Sequence, residues 1–446
     1  MDLEQVRCSS RKKGYVQLLI PLFIASVIAF LDRVNIGYAA LTMNTDLGFG
    51  PEVFGLGAGI FFLGYVLFEV PGAVLAEKYS PRRWLVRIMV TWGLVTIWMA
   101  FVQSEREFYI VRFLLGAAEA SLYPVMYASI IPRFFVPEDR PWALALMLTS
   151  MQFSVIIGSP LAGFLLETHI MGLHGWQSLF ILEAVPPIIF GIVSWFWLKD
   201  WPNQCSWLSR EEQDFLMESF ERETNAKVKV KKYTLWQAFS DKEVVKLCLI
   251  YFLWITGFWG FNFWMPTVLK AISGWSNMAV GFTLVIPMVF SLAFMAWNAY
   301  GATNGRGRNR RGAWPLFLAA AAFALGAFVS DPVLSFILIV CIAVGVYGPF
   351  GVWWSYPTTF LSGAAAAGAT ALINSVGNIG GFIGPYTTGY IKNLTGSFSG
   401  AYLYFAVSLL AAGILMLTLK EKSSAEKTTE VPVAAVAEME EAAENG

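Results

Sequence analysis

The stretch SVIAFLDRVNIGYAAL (26–41) is an apolar run broken by charge at one place, Asp32 and Arg33. A second run, FYIVRFLLGAAEASLYP (108–124), holds Arg112 and, seven residues later, Glu119. A charge at the centre of a membrane helix costs at least ~2.5–3.5 kcal/mol on insertion scales, so chains keep one there for function or for pairing. The reading of these two runs as membrane helices decides the fold.

The rest of the chain agrees with it. The 446 residues are 57% hydrophobic, 16% aromatic and 14% charged, with mean hydropathy +0.57. That is too little charge to cover a soluble protein of this size. Twelve apolar segments are long enough to span, near 16–38, 53–76, 84–103, 108–132, 140–165, 176–198, 244–268, 279–300, 313–329, 333–355, 365–391 and 400–419. A crossing helix needs ~20 apolar residues, and these runs are too long for barrel strands. The expected fold class is an all-α membrane protein, with twelve transmembrane helices in two pseudo-symmetric six-helix bundles.

The net charge of zero is uninformative, but its placement is not. Leaving aside Arg33 and Arg112, one set of loops holds only Arg106, Lys270 and Lys392. Every other Lys and Arg lies on the side of the two termini, including Arg11, Lys12, Lys13, Arg82, Arg83, Arg133, Arg140, Arg310 and Arg311. The positive-inside rule places both termini in the cytoplasm, as in a multi-pass inner-membrane protein. The first apolar run is long and lacks a cleavage site, so no cleaved signal peptide is expected. Cys8, Cys205, Cys248 and Cys341 are dispersed and suggest no disulfide framework. His169 and His174 share a short loop without a third ligand, so no metal and no cofactor is expected.

The chain divides into a bundle over 1–198, a cytoplasmic linker over 199–243, a second bundle over 244–420 and a disordered Ala/Glu-rich tail over 421–446. Ser209 and Glu212 form a helix-start pattern in the linker, which predicts one or two surface helices. The halves echo each other. AEKYSPRR (76–83) matches TNGRGRNRR (303–311), with Arg82 and Arg310 separated by 228 residues. IGSPLAG (157–163) matches IGPYTTG (383–389), with Gly158 and Gly384 separated by 226. Two motifs at nearly one offset imply a duplicated six-helix unit, as in secondary transporters that hold substrate near the midplane.

Six stretches carry a closer likeness: FLDRVNIGYAAL (30–41), FEVPGAVLAEKYSPRRWLVRIMVTWG (68–93), RFLLGAAEASLYP (112–124), GSPLAGFLLE (158–167), GWQSLFILEAVPP (175–187) and TALINSVGNIGGFIGPY (370–386). Together they resemble the major facilitator superfamily, and within it the anion:cation symporter family, whose members carry organic anions with protons or other cations. Two departures stand out. Ser121-Leu122 replaces the usual Gly-Phe after the span-4 Glu-Ala, and the usual acidic residue near Asn304 is absent.

Arginine presents a planar fork that grips a carboxylate, so Arg33 and Arg112 are expected to hold the substrate. Pairing with an acidic neighbour, or snorkelling of Arg112, is the bland alternative. Asp32 and Glu119 are the expected proton carriers, since a carboxylate balanced between burial and a nearby arginine can change protonation as its surroundings alternate. Arg112 and Glu119 share a helix face and could line one cavity. Glu69 and Glu183 are read as structural, capping a Pro-broken backbone or joining a latch, although either could join a proton path. Tyr65, Asn262, Trp354 and Asn374 are expected to add substrate contacts, whereas the span-7 tryptophans, Trp259 among them, are individually better explained by packing. Glu77, Arg82 and Arg83 are expected to gate. Gly55, Gly59, Gly377, Gly381 and Gly384 are read as interfaces on which the halves rock.

The function expected is proton symport of a small organic anion by alternating access, in a monomer that binds lipid and no nucleic acid. Sugar acids, tartrate-like dicarboxylates and aromatic acids all fit. A sensor derived from a carrier is the alternative, and neither tail offers a signalling domain. No nucleophile–base pair or selectivity ring points to an enzyme or a channel.

Overall fold

The computed structural model describes residues 3–168, 172–228, 241–302, 307–354, 356 and 363–419. Predictions on His169, Asn304 and the tail over 421–446 fall outside these residues. Twelve helical spans run through the described chain: Leu3–Leu47, Pro51–Tyr79, Pro81–Met99, Glu105–Phe134, Arg140–Leu166, Gly175–Trp197, Lys242–Ser273, Asn277–Ala302, Arg308–Gly326, Pro332–Trp353, Gly363–Thr395 and Ser399–Leu417. They are numbered here in that order. Nine are long and apolar enough to cross a membrane. Spans 3 and 9 open on arginine clusters and span 11 on a Gly/Ala-rich stretch, which dilutes their hydropathy. They nevertheless pack lengthwise on their neighbours, span 3 on span 6, span 9 on span 12, and span 11 on spans 2 and 7.

Span 1 departs most from expectation. Its helix begins at Leu3, well before the apolar run. Charged side chains make this extension invisible to hydropathy, and ion pairs hold it. Arg7 and Arg11 donate to Asp139 at 2.8 and 3.3 Å, and Lys13 donates to Glu212 of the linker helix at 2.8 Å. Burial opposes the charged form of Asp139. The hydrogen bonds and charges of Arg7 and Arg11 outweigh it and hold the carboxyl below its ordinary range. The linker start pattern forms as read: Ser209 N–H donates to Glu212 Oε2 at 2.7 Å, and Glu212 N–H to Ser209 Oγ at 3.3 Å. The helix it opens is Arg210–Val228.

The halves meet through spans 1, 2 and 5 on one side and 7, 8 and 11 on the other. Contact is closest at the end away from the termini. A Cβ on Gly55 would lie 2.6 Å from the Pro385 carbonyl oxygen and 3.1 Å from Gly389 Cα, and one on Gly59 would lie 2.7 Å from the Phe382 oxygen. Gly163 and Gly37 sit equally close to the backbone of Asn277 and Phe263. Glu167 accepts from Met278 N–H at 2.9 Å and Glu52 from Asn393 at 3.1 Å. Gly55, Gly59 and Gly381, which faces the Phe62 ring, therefore lie between the halves. Gly377 and Gly384 do not: they face Tyr251 and Thr256 of span 7, inside the second half, because span 11 turns their face away from span 2.

Candidate functional site

Span 4 is broken where it matters. Its first helix ends at Glu119, Ala120 leaves the helical region at φ −50° and ψ 143°, and Ser121 takes φ +71°, the one non-glycine residue with positive φ among those described. A left-handed residue other than glycine costs roughly 1–2 kcal/mol. Ser121 Oγ accepts from Trp84 Nε1 at 3.1 Å, which offsets part of this cost. A π-helical turn, Val125–Ile130, follows. Such insertions gather at functional sites. The break leaves Glu119 as the last helical residue, with its carboxylate on span 1.

There it meets Arg33. The two are ion-paired and buried. Adjacent helical side chains diverge, so Asp32 cannot serve Arg33 and Glu119 does. Aromatic faces surround the guanidinium: Tyr65 at 4.9 Å, Phe61 at 5.3 Å, Tyr123 at 5.5 Å and Trp259 at 5.7 Å from its Cζ to the ring centres. Trp259 comes from span 7, so the cage is closed by both halves.

Arg112 is fully buried and turned to span 2, donating to the carbonyls of Gly57 at 3.2 Å and Ala58 at 3.3 Å. Its Nη1 has no partner among the described residues. The Phe61 ring, 5.0 Å from Arg112 Cζ, lies between the two guanidinium groups. Asp32 accepts from Thr96 at 3.0 Å and, at longer range, from Asn35. Glu69 accepts from Asn374 of span 11 at 2.8 Å, and Glu183 accepts from Asn35 at 2.7 Å. Neither glutamate caps a backbone; Glu69 ties span 2 to span 11 across the two halves, and Glu183 ties span 6 to span 1. Pro71 and Pro186 lie within continuous helices that leave the glutamate oxygens free for side-chain donors.

In the second half Asn262 and Trp354 engage residues of their own bundle. Asn262 donates to Phe258 O at 2.8 Å and accepts from Tyr347 at 2.6 Å, while Trp354 stands edge-on to Tyr251 at 5.6 Å. Neither meets Arg33. The residue that does, Trp259, is one that composition could not single out among so many tryptophans.

The expected gating residues lie together at the termini end. Glu77 accepts from Arg133 at 2.7 Å. Asp200 accepts from Ser80 Oγ at 2.7 Å and from Arg82 N–H at 2.9 Å, and Arg82 stacks over Trp195. Arg83 donates its backbone N–H to the N-cap Ser80 Oγ at 3.1 Å and exposes its side chain. Arg133, Asp200 and Trp201, which lies 4.1 Å under Arg133, are the partners that sequence did not reveal.

Residues 22–385 match the model of the Major Facilitator Superfamily. The chain belongs to that superfamily. It is a multi-pass membrane transporter and not an enzyme. A protein of Agrobacterium vitis named as a tartrate transporter is 43% identical over 401 residues, covering 89% of this chain and 88% of its own. The Quinolone resistance transporter of Acinetobacter baumannii is 34% identical, over 93% of this chain and 96% of its own. Among solved structures, a D-xylose-proton symporter superposes with TM-score 0.73 at 13% identity, over 91% of this transporter and 98% of that chain. This last likeness concerns the fold alone.

Proposed function

We propose that this transporter carries a small organic anion across the inner membrane together with a proton, by alternating access, as a monomer with both termini in the cytoplasm. The observation that carries the reading is the buried Arg33–Glu119 pair inside an aromatic cage that the two halves share. A buried guanidinium needs a counter-charge. In the resting site Glu119 supplies it. An incoming carboxylate offers the same charge and the same fork geometry, and displaces Glu119 from Arg33. The released carboxylate is then buried without a partner and takes a proton. Anion and proton thus favour each other's binding, as linkage requires. Arg112, with one free donor beyond the Phe61 ring, receives the second end of the anion once that ring moves.

The cage favours substrates with an apolar face beside the carboxylate, and relatives named for tartrate and quinolones bracket the size of the cargo. The glycine contacts between spans 2 and 11 support rocking of the halves, closed in this state at the end away from the termini. The domain division at the linker, the gating role of Glu77, Arg82 and Arg83, and the contributions of Asn374, Asn262 and Trp354 belong to the same proposal. Uptake into proteoliposomes of a panel of sugar acids, dicarboxylates and aromatic acids, with and without an inward proton gradient, tests it. Gradient-driven uptake of at least one carboxylate is expected. A carrier that moves only neutral or cationic solutes overturns it.

A further inference from the structure

A second carboxylate cluster is bonded separately from the Arg33–Glu119 pair, although Glu119 and Arg112 act on its Asp32 through space. Glu183 of span 6 is buried, and Asn35 Nδ2 donates to its Oε2 at 2.7 Å. The same amide reaches Asp32 Oδ1 at 3.4 Å, and Asp32 Oδ1 also accepts from Thr96 at 3.0 Å. Two acids are therefore bridged by one amide, and no basic side chain is bonded to either among the described residues. Three buried acceptor atoms of the cluster, Asp32 Oδ2, Asn35 Oδ1 and Glu183 Oε1, lack a hydrogen-bond partner, against one buried unpaired donor, the Trp92 Nε1–H of span 3, which faces Asp32. Glu183 also lines an apolar cavity of about 130 Å³ between spans 1, 5 and 6, walled by Leu31, Leu161, Leu182 and Pro186. Leu161 and Leu182 are exposed, so the pocket opens toward the apolar outer face of the bundle, where hydrocarbon offers no hydrogen bond to compensate a charge. Of the titratable groups, Asp32 and Tyr38 of span 1 act on Glu183, and Glu119 and Arg112 of span 4 act on Asp32; span 3 faces the cluster with Thr96 and Trp92.

We infer that Glu183 and Asp32 form a second proton site, in which a proton resides on Glu183 and is shared with Asp32 and Asn35. The cluster has more buried acceptors than donors, and a buried polar atom left unpaired is costly. One proton on Glu183 Oε1 supplies the missing donor and removes a charge that has no counter-ion. A metal cation fits less well, because the space between the two carboxylates is taken by the N–H groups of Asn35 rather than by oxygen. The inference rests on the proton-coupled reading and adds a carrier to it: the anion travels with the proton taken by Glu119 and a second one held by this cluster.

Infrared spectroscopy of the full-length protein in lipid tests the site without any substrate. The wild type is expected to show, at neutral pH, a protonated-carboxyl stretch that shifts in heavy water and is lost in Glu183→Gln. Absence of that band in the wild type, which needs no variant to fold, overturns the inference, as does its survival in Glu183→Gln. Reversal-potential measurements in proteoliposomes then read the coupling. The proton-to-anion ratio is expected to fall by one in Glu183→Gln, and an unchanged ratio overturns the transport role. If wild-type uptake ignores the proton gradient altogether, the carrier reading fails while the infrared result stands separately.

Discussion

Replacing Glu119 by Gln is expected to tighten anion binding and abolish accumulation. In the wild type the anion must first part Arg33 from Glu119. The net worth of a hydrogen bond to a charged group is ~1.5–3 kcal/mol, and each ~1.4 kcal/mol is tenfold in affinity. The variant does not have to break that bond, so it should bind a good substrate about tenfold to a hundredfold more tightly. The unliganded variant should melt earlier, because breaking a buried pair from one side costs ~3–5 kcal/mol at most. Two features soften the loss. The new amide oxygen still accepts from Arg33, and the rings of Tyr65, Phe61, Tyr123 and Trp259 remain to face the cation, each worth ~0.5–2 kcal/mol. Calorimetric titration and thermal melts with and without anion measure both effects, and counterflow exchange should persist while uphill uptake stops. Weaker or unchanged affinity together with intact gradient-driven accumulation refutes the displacement mechanism.

Other consequences follow from particular contacts. Arg112→Lys keeps charge but cannot serve Gly57, Ala58 and an anion at once, so anion affinity should drop about tenfold or more, at ~1–3 kcal/mol per unsatisfied group; a lowered melting temperature with unchanged Kd would make Arg112 purely structural. Gly55→Val puts atoms into the Pro385 carbonyl and should trap the carrier with its far end open, slowing exchange while sparing affinity; normal turnover contradicts a closed interface there. Arg83→Ala should change turnover more than affinity, and a large loss of equilibrium binding contradicts its place away from substrate. Asp139→Asn should narrow the stability gap to wild type in acid. A carboxyl held low by Arg7 and Arg11 stabilises the fold above its unfolded value of about 4, and that advantage disappears as pH falls through the lower folded value. Melts from pH 7 downward should therefore converge, and a gap that persists at the lowest pH rules out the charge pairing as its source.

Much of this was legible in the chain because a bilayer imposes one dominant rule. Apolar runs and the sidedness of Lys and Arg set the spans and their order, and Arg33, Arg112, Asp32 and Glu119 stood out as charges where charge is costly. Who pairs with whom was not legible. Asp32 neighbours Arg33 in sequence, yet on a helix the two side chains point apart, and the partner is Glu119, the last helical residue before the break at Ser121. The departure at Ser121 hinted at altered packing but not at a left-handed residue bonded to Trp84. Trp259 carries no local mark that separates it from Trp264 or Trp354; only the approach of span 7 to span 1 makes it part of the site. Likewise Gly377 and Gly381 share spacing but face different helices, a distinction fixed by the rotation of span 11. The helical extension before the first span escaped hydropathy because ion pairs hold it rather than burial.

Proton uptake on anion binding tests the central claim most directly. Purified transporter in weakly buffered detergent solution, with a pH-sensitive dye, is titrated with an anion that it is shown to bind. The account predicts that wild-type protein takes up protons in proportion to anion bound, and that Glu119→Gln binds the anion while taking up fewer. Saturable anion binding to the wild type with no proton uptake at any pH between 5 and 9 would contradict it.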